Sequence, residues 1–192
     1  MVAIARPQVH LWTREEYNRM ASMGLFEERR VELIEGQVID MAAMKSPHAV
    51  AVDLADAALK AIFGMGYYIR QQKPFVISDI SEPDPDIAVI KGNIRDFADA
   101  HPTVAELIIE VADSSLSYDH NIKGSLYAKA AIADYWIFNV IDRQLEVYRQ
   151  PVPDADAKYG FRYGVSEIYR SGQQVAPLSI PNLTVAVTDM LP

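Results

Sequence analysis

Residues 106 to 113 read ELIIEVAD, an apolar run suited to a strand buried in a sheet, with one acid, Glu110, at its centre. A carboxylate buried there without a partner costs several kcal/mol, so it must take up a proton, meet a cation or bind a metal. Two more acids open or interrupt apolar strands. Asp86 begins the strand of EPDPDIAVI behind Pro85, which forces extended backbone, and Glu35 ends the strand of VELIEG on the face of Val31 and Leu33. If the strands of Asp86 and Glu110 are neighbours, the two carboxylates come close enough to repel unless they share a proton or a cation. Oxygen donors of this kind suit Mg²⁺, Mn²⁺ or Ca²⁺, and Mg²⁺ takes only one or two carboxylates and keeps several waters. Such a site can activate a water and neutralise charge on a phosphoryl oxygen.

A cation that could reach these acids is Lys123, in DHNIKGSLYAKAA. On a helix it shares a stripe with Leu126, Tyr127 and Ala130, an apolar face where a lysine must snorkel or point at an acid. Asp119, one turn earlier, offers it a plain ion pair, and Ser117 or Asp119 could cap that helix. His10, His101 and His120 show no metal-ligand spacing, and Tyr135 and Trp136 in DYWIF read as core aromatics.

The elements that must position these groups follow from pattern. Thr13 and Glu16 make a capping box for a helix that stops at Gly24. RVELIEGQVIDMA alternates around a Glu35–Gly36 turn and predicts a β-hairpin. SPHAVAVDLADAALKAIFGMG has helical spacing and predicts the first long helix, and DHNIKGSLYAKAAIA predicts the second. YYIRQQKPFVIS, PDIAVI, ELIIEVAD, DYWIFNV and QLEVYRQ predict strands, with two short ones near YGVSEIYR and LTVAV. RQPVPDADAKYG reads as an exposed loop. The expected class is α/β or α+β, a mixed central sheet flanked by helices with an N-terminal hairpin, in one domain over 1–192 behind a loose tail at 1–12.

Composition narrows the field. The chain has 192 residues, half of them hydrophobic, no cysteine and a net charge of −8. No apolar stretch is long enough to span a bilayer, and the first ten residues lack a secretory core, so a soluble cytoplasmic protein is expected, with no membrane partner. The acidic balance argues against a broad basic coat for nucleic acid and leaves room for a local cleft offset by divalent cations.

The blocks VELIEG, SPHAV, EPDPDIAVI, ELIIEVADSSLSYDHNIKGSLYAKAAIADYWIFNV and PNLTVAVTDML, in that order from about residue 13 onward, resemble the Uma2 family of restriction-endonuclease-like proteins, abundant in cyanobacteria. The resemblance implies the PD-(D/E)xK nuclease fold and a Mg²⁺- or Mn²⁺-dependent endonuclease acting on nucleic acid, DNA before RNA. It matches Asp86 to the motif aspartate, Glu110 to the motif acid and Glu35 to an acid near the N-terminal hairpin. It implies metal ligation by Asp86, Glu110 and the main-chain carbonyl of Val111. Gln72 and His48 match family positions and are expected at substrate or water, although a helix-start histidine by itself reads as structural. The chain departs from the motif at Ala112, where the general pattern has lysine, and the family moves that role to the position of Lys123. A homodimer is expected from base rates. Two alternatives stay open: the same fold without catalysis, as a nucleic-acid or protein binding module, and a metal-dependent phosphoesterase for small substrates.

Overall fold

The structure, a computed structural model, describes residues 8–192, so the first seven residues of the expected tail lie outside it. By its contacts the chain groups into two compact units. One comprises the described residues up to Ala43 together with Phe75–Pro83, and the other comprises Met44–Pro74 and Asp84–Pro192.

In the first unit, helix α1 (Arg14–Ser22) begins at the expected capping box, with Thr13 N–H donating to Glu16 Oε2 at 2.9 Å and Glu16 N–H to Thr13 Oγ1 at 3.3 Å. Strands β1 (Val31–Ile34) and β2 (Gln37–Asp40) form the expected hairpin. Glu35 and Gly36 both have positive φ, 46° and 76°, the pattern of a primed two-residue turn that matches strand twist. A Cβ on Gly36 would fall 2.6 Å from Leu11 Cβ, so a glycine is required there. Trp12 N–H donates to Gly36 O, which ties the end of the tail to this turn. The segment 75–83 joins β1 through a Leu33–Glu82 bridge, and Arg14 Nε donates to the buried Glu82 carboxylate at 2.5 Å.

The second unit is built on a six-stranded sheet. It contains helix α2 (Ser46–Ile62) and strands β3 (Tyr67–Gln71), β4 (Ile87–Lys91), β5 (Leu107–Ala112), β6 (Asp134–Asn139), β7 (Gln144–Pro153) and β8 (Phe161–Arg170), in spatial order β3-β4-β5-β6-β7-β8. β5 and β6 are parallel, and every other pairing is antiparallel. Parallel neighbours need a crossover, and here it is the helical segment α3 (Leu116–Tyr118), a π-helical turn (Asp119–Lys123) and α4 (Gly124–Lys129). A crossover helix must lie over the strands it joins, which places Lys123 above β5.

The period-2 pattern divides the sheet's chemistry between its faces. One face carries Ile87, Val89, Leu107, Ile109, Val111, Trp136, Phe138, Leu145 and Val147, all buried against Ala51, Val52, Ala55 and Leu59 of α2. The register puts Glu110 opposite Ile137 and Ile137 opposite Glu146, so the acids line up on the other face, under the crossover. Tyr135 and Trp136 are core aromatics as expected, and Trp136 Nε1–H donates to the fully buried Asp134, which is paired with Arg149 at 2.8 Å.

Three boundaries differ from expectation. The strand expected across YYIRQQKPFVIS stops at Gln71, because Gln72 turns to φ 48° and Pro74 has no N–H to continue a ladder. β7 runs through part of the expected loop to Pro153. Its prolines are tolerated because β6 pairs with it only as far as Arg149, leaving no partner on that side to need their N–H groups. The second helix starts at Leu116, earlier than Asp119, and ends at Lys129 rather than running to 133. The short final strand is β10 (Val185–Ala186), paired with β9 (Gln174–Val175).

Candidate metal centre

Asp86 is the residue before β4, and Glu110 is the fourth of β5. Their ladder ends at the pair Ile87–Ile109, and beyond it the side chains of the next residues replace the main-chain bonds. Val111 N–H donates to Asp86 Oδ2 at 2.8 Å, and Asp86 N–H donates to Glu110 Oε2 at 3.3 Å. The two acids therefore hold each other's backbone, which fixes their carboxylates side by side at the open end of adjacent strands. Both residues are buried, at 8% and 5% exposure.

Glu110 meets the crossover. Lys123 Nζ donates to its Oε1 at 3.2 Å and Tyr127 OH donates to the same oxygen at 2.7 Å. Lys123 is only 1% exposed, so its ammonium lies inside the protein, as its apolar stripe suggested. It sits at the end of the π-helical turn, a local widening that recurs at functional sites. Gly124 follows, and a Cβ there would approach Asp119 O at 3.3 Å, so the turn packs closely at this point.

Asp86 is held from two other elements. His48 Nε2, in the first turn of α2, lies 3.0 Å from Oδ1, and Gln72 Nε2 donates to the same oxygen at 3.1 Å. Burial pushes the Asp86 carboxyl up, but His48, the Val111 N–H and Gln72 outweigh it and hold the group below the ordinary aspartate value. Asp86 is thus kept as an anion despite its surroundings.

The second unit brings together Asp86, Glu110, Val111, Lys123, Gln72 and His48. Glu35 belongs to the first unit, where its N–H donates to Ser81 Oγ at 2.9 Å and its Oε1 accepts from that hydroxyl at 3.1 Å. Tyr127 is the member that residue types alone missed, being legible only as part of the Lys123 stripe. Its spacing of four from Lys123 was the available signal. His48 contacts the acid directly, beyond the structural part its sequence position suggested.

No group of three or more His, Cys, Asp or Glu side chains able to hold a metal occurs among the described residues. The donor set is two carboxylates with main-chain oxygen. A residue in an extended strand points its N–H and C=O to one edge, so the Val111 carbonyl faces the same side as the N–H that reaches Asp86. A carboxylate offers about four lone-pair positions, and the three bonds at Asp86 do not exhaust them. All-oxygen donors with few carboxylates fit Mg²⁺ or Mn²⁺, which complete their shells with water.

Comparison with known proteins agrees with this architecture. The family model described as Uma2, "Putative restriction endonuclease", matches residues 14–188. A solved structure, described as a "putative nuclease belonging to DUF820" from Anabaena variabilis, superposes with a TM-score of 0.68 at 15% identity, covering 93% of this chain and 96% of that one. The likeness extends to the fold. No curated protein matches. Among the described residues no helix is long and apolar enough to cross a membrane.

Proposed function

The chain belongs to the Uma2 family, and on that premise we propose that it is a divalent-metal-dependent endonuclease that hydrolyses phosphodiester bonds of nucleic acid, with DNA the expected substrate. The observation that carries the reading is the mutual clasp of Asp86 and Glu110 at the open ends of β4 and β5, with a buried ammonium on Glu110. In this proposal Asp86, Glu110 and the Val111 carbonyl hold Mg²⁺ or Mn²⁺. When bound, that ion supplies a water of lowered pKa and neutralises charge on the phosphoryl group.

The chain's own residues do the remainder. His48 and Gln72 orient Asp86 and keep it ionised. Tyr127 and Lys123 fix Glu110 through one oxygen, which leaves the other turned toward Asp86. Lys123 supplies, from the crossover helix, the positive charge that the lysine pattern would have placed at Ala112. It can steady the attacking hydroxide or the charge developing on phosphate. Glu35 is proposed as a further acid from the hairpin turn, on the family resemblance. A homodimer would present two such sites, one for each strand of a duplex, and sedimentation or light scattering tests that part.

The experiment is cleavage of supercoiled plasmid and of labelled DNA and RNA oligonucleotides, with Mg²⁺, Mn²⁺ or EDTA. Wild type is compared with Asp86→Asn, Glu110→Gln, Lys123→Met and Glu35→Gln. Cleavage by wild type that needs the metal and falls at least a hundredfold in the first two variants is expected. Equal rates in wild type, Asp86→Asn and Glu110→Gln would overturn the assignment. Metal-independent nucleic-acid binding without cleavage would instead identify a binding module.

A further inference from the structure

A second polar centre lies on the same sheet face, two strands from Glu110, on β7. Glu146 is 6% exposed and accepts four hydrogen bonds: from Tyr148 OH at 2.7 Å, Asn139 Nδ2 at 3.1 Å and Gln144 Nε2 at 3.1 Å, with His120 Nε2 at 2.7 Å. Burial pushes the Glu146 carboxyl up, and these donors outweigh it, so the group is held below the ordinary glutamate value. His120 belongs to the π-helical turn that also carries Lys123, and its ring meets Tyr148 edge-on at 5.8 Å. With Nε2 engaged by Glu146, the Nδ1 of His120 has no hydrogen-bond partner among the described residues.

The imidazole lines a cavity of about 520 Å³ between the crossover helix and the loop at 154–160, with Ser125, Tyr148, Asp156, Lys158 and Phe161 among its walls. That volume lies within the range of small-molecule pockets, roughly 300–1,000 Å³. Tyr148 is flanked by the rings of Tyr135 and Tyr163, at 5.9 and 6.2 Å, so this wall is an aromatic tier. At the rim Arg162 is occupied by Asp154 at 2.7 Å. Asp156 and Lys158 are exposed and form no ion pair among the described residues. The rim charges balance, so this cavity has no net attraction for phosphate. What it offers is a flat ring for stacking, an acceptor, an ammonium donor and an oriented imidazole nitrogen.

We propose that this cavity binds a nucleobase, stacked on Tyr148 and read along its edge by His120, Asp156 and Lys158. The inference rests on the nucleic-acid reading above. The base comes either from the strand being cut or from a free nucleoside. Glu146 is a positioning residue that fixes the His120 ring. Two strand spacings separate Glu110 from Glu146, about 10 Å, so the two polar centres share one face of the sheet. Base stacking on aromatic side chains tolerates any sequence, so hydrogen bonding at the rim would set any preference.

The test uses the full chain carrying Asp86→Asn, so that DNA is not consumed, and oligonucleotides with 2-aminopurine at successive positions. One position is expected to be quenched on binding, and quenching should be lost in Ala157→Trp, which fills the cavity from its loop. His120→Ala should weaken binding of the same strand three- to tenfold. An abasic residue at that position should remove the difference between these proteins. Titration with free 2-aminopurine riboside separates the two sources: quenching that Ala157→Trp abolishes shows binding of the base alone, and quenching confined to the strand assigns the cavity to the substrate. Unchanged affinity and quenching in both variants, with native circular dichroism, overturn the inference. The nuclease reading fails separately, if wild type cleaves nothing in any metal while base quenching persists.

Discussion

Replacing Lys123 by Met keeps most of the side-chain volume and removes the ammonium from Glu110, and its cost can be bounded from the structure. Lys123 and Glu110 are 1% and 5% exposed and 3.2 Å apart, so water cannot replace the lost partner. Breaking a buried pair by removing one member costs about 3–5 kcal/mol. The acid has an escape, which is to bind a proton. Neutralising a carboxyl of ordinary pKa near 4.3 costs about 3.7 kcal/mol at pH 7 and about 1 kcal/mol at pH 5, at 1.36 kcal/mol per unit. Tyr127 OH at 2.7 Å and the Asp86 N–H still serve Glu110, which lowers the cost further. The expected loss is therefore about 3 kcal/mol at pH 7, shrinking to about 1 kcal/mol near pH 5. The sign follows from proton counting: in the variant the folded state holds a proton that the unfolded chain releases above about 4.3, so stability falls as pH rises through that value. Urea titrations in a Trp12→Phe background leave Trp136, buried in the second unit, as the reporter. Glu110→Gln added to Lys123→Met should recover most of the loss. A Lys123→Met loss below about 1 kcal/mol at pH 7, flat with pH and unaffected by Glu110→Gln, would refute the claim that this ion pair holds the centre together.

Two further expectations concern the same face of the sheet. Tyr127→Phe removes one hydrogen bond to a charged, buried oxygen and should cost about 1.5–3 kcal/mol in urea unfolding, together with weaker Mn²⁺ affinity by calorimetry if Glu110 is a ligand. Glu146 has a depressed pKa, so its contribution to stability is present above the unfolded glutamate value and is lost as pH falls through the lower folded value. Glu146→Gln should accordingly flatten the acid limb of the stability profile below about pH 4.3, measured by thermal melts.

Much of the centre was legible in the sequence because strands and helices have fixed periods. Alternation alone put Glu110 on a different face from Ile109 and Val111, and helical spacing alone put Lys123 on a buried stripe with Tyr127. The primed turn at Glu35–Gly36, the capping box at Thr13 and the helix from Ser46 are local rules that the fold obeys. Pro151 and Pro153 misled the reading of β7 because local signals cannot tell whether a neighbouring strand needs their N–H groups. Gln72 and His48 lie 14 and 38 residues from Asp86, and no periodicity brings them to it.

What the amino-acid order determined by itself was which residues are charged where apolar ones were due, and which face each occupies. Tertiary structure alone decided that β4 lies beside β5, so that Asp86 and Glu110 clasp each other, and that β5 and β6 are parallel, so that the crossover must carry Lys123 over Glu110. It also decided the 26-residue separation across which His120 meets Glu146. The physical reason is range: backbone sterics and side-chain period act over a few residues, whereas strand pairing is settled by burial summed over the whole sheet.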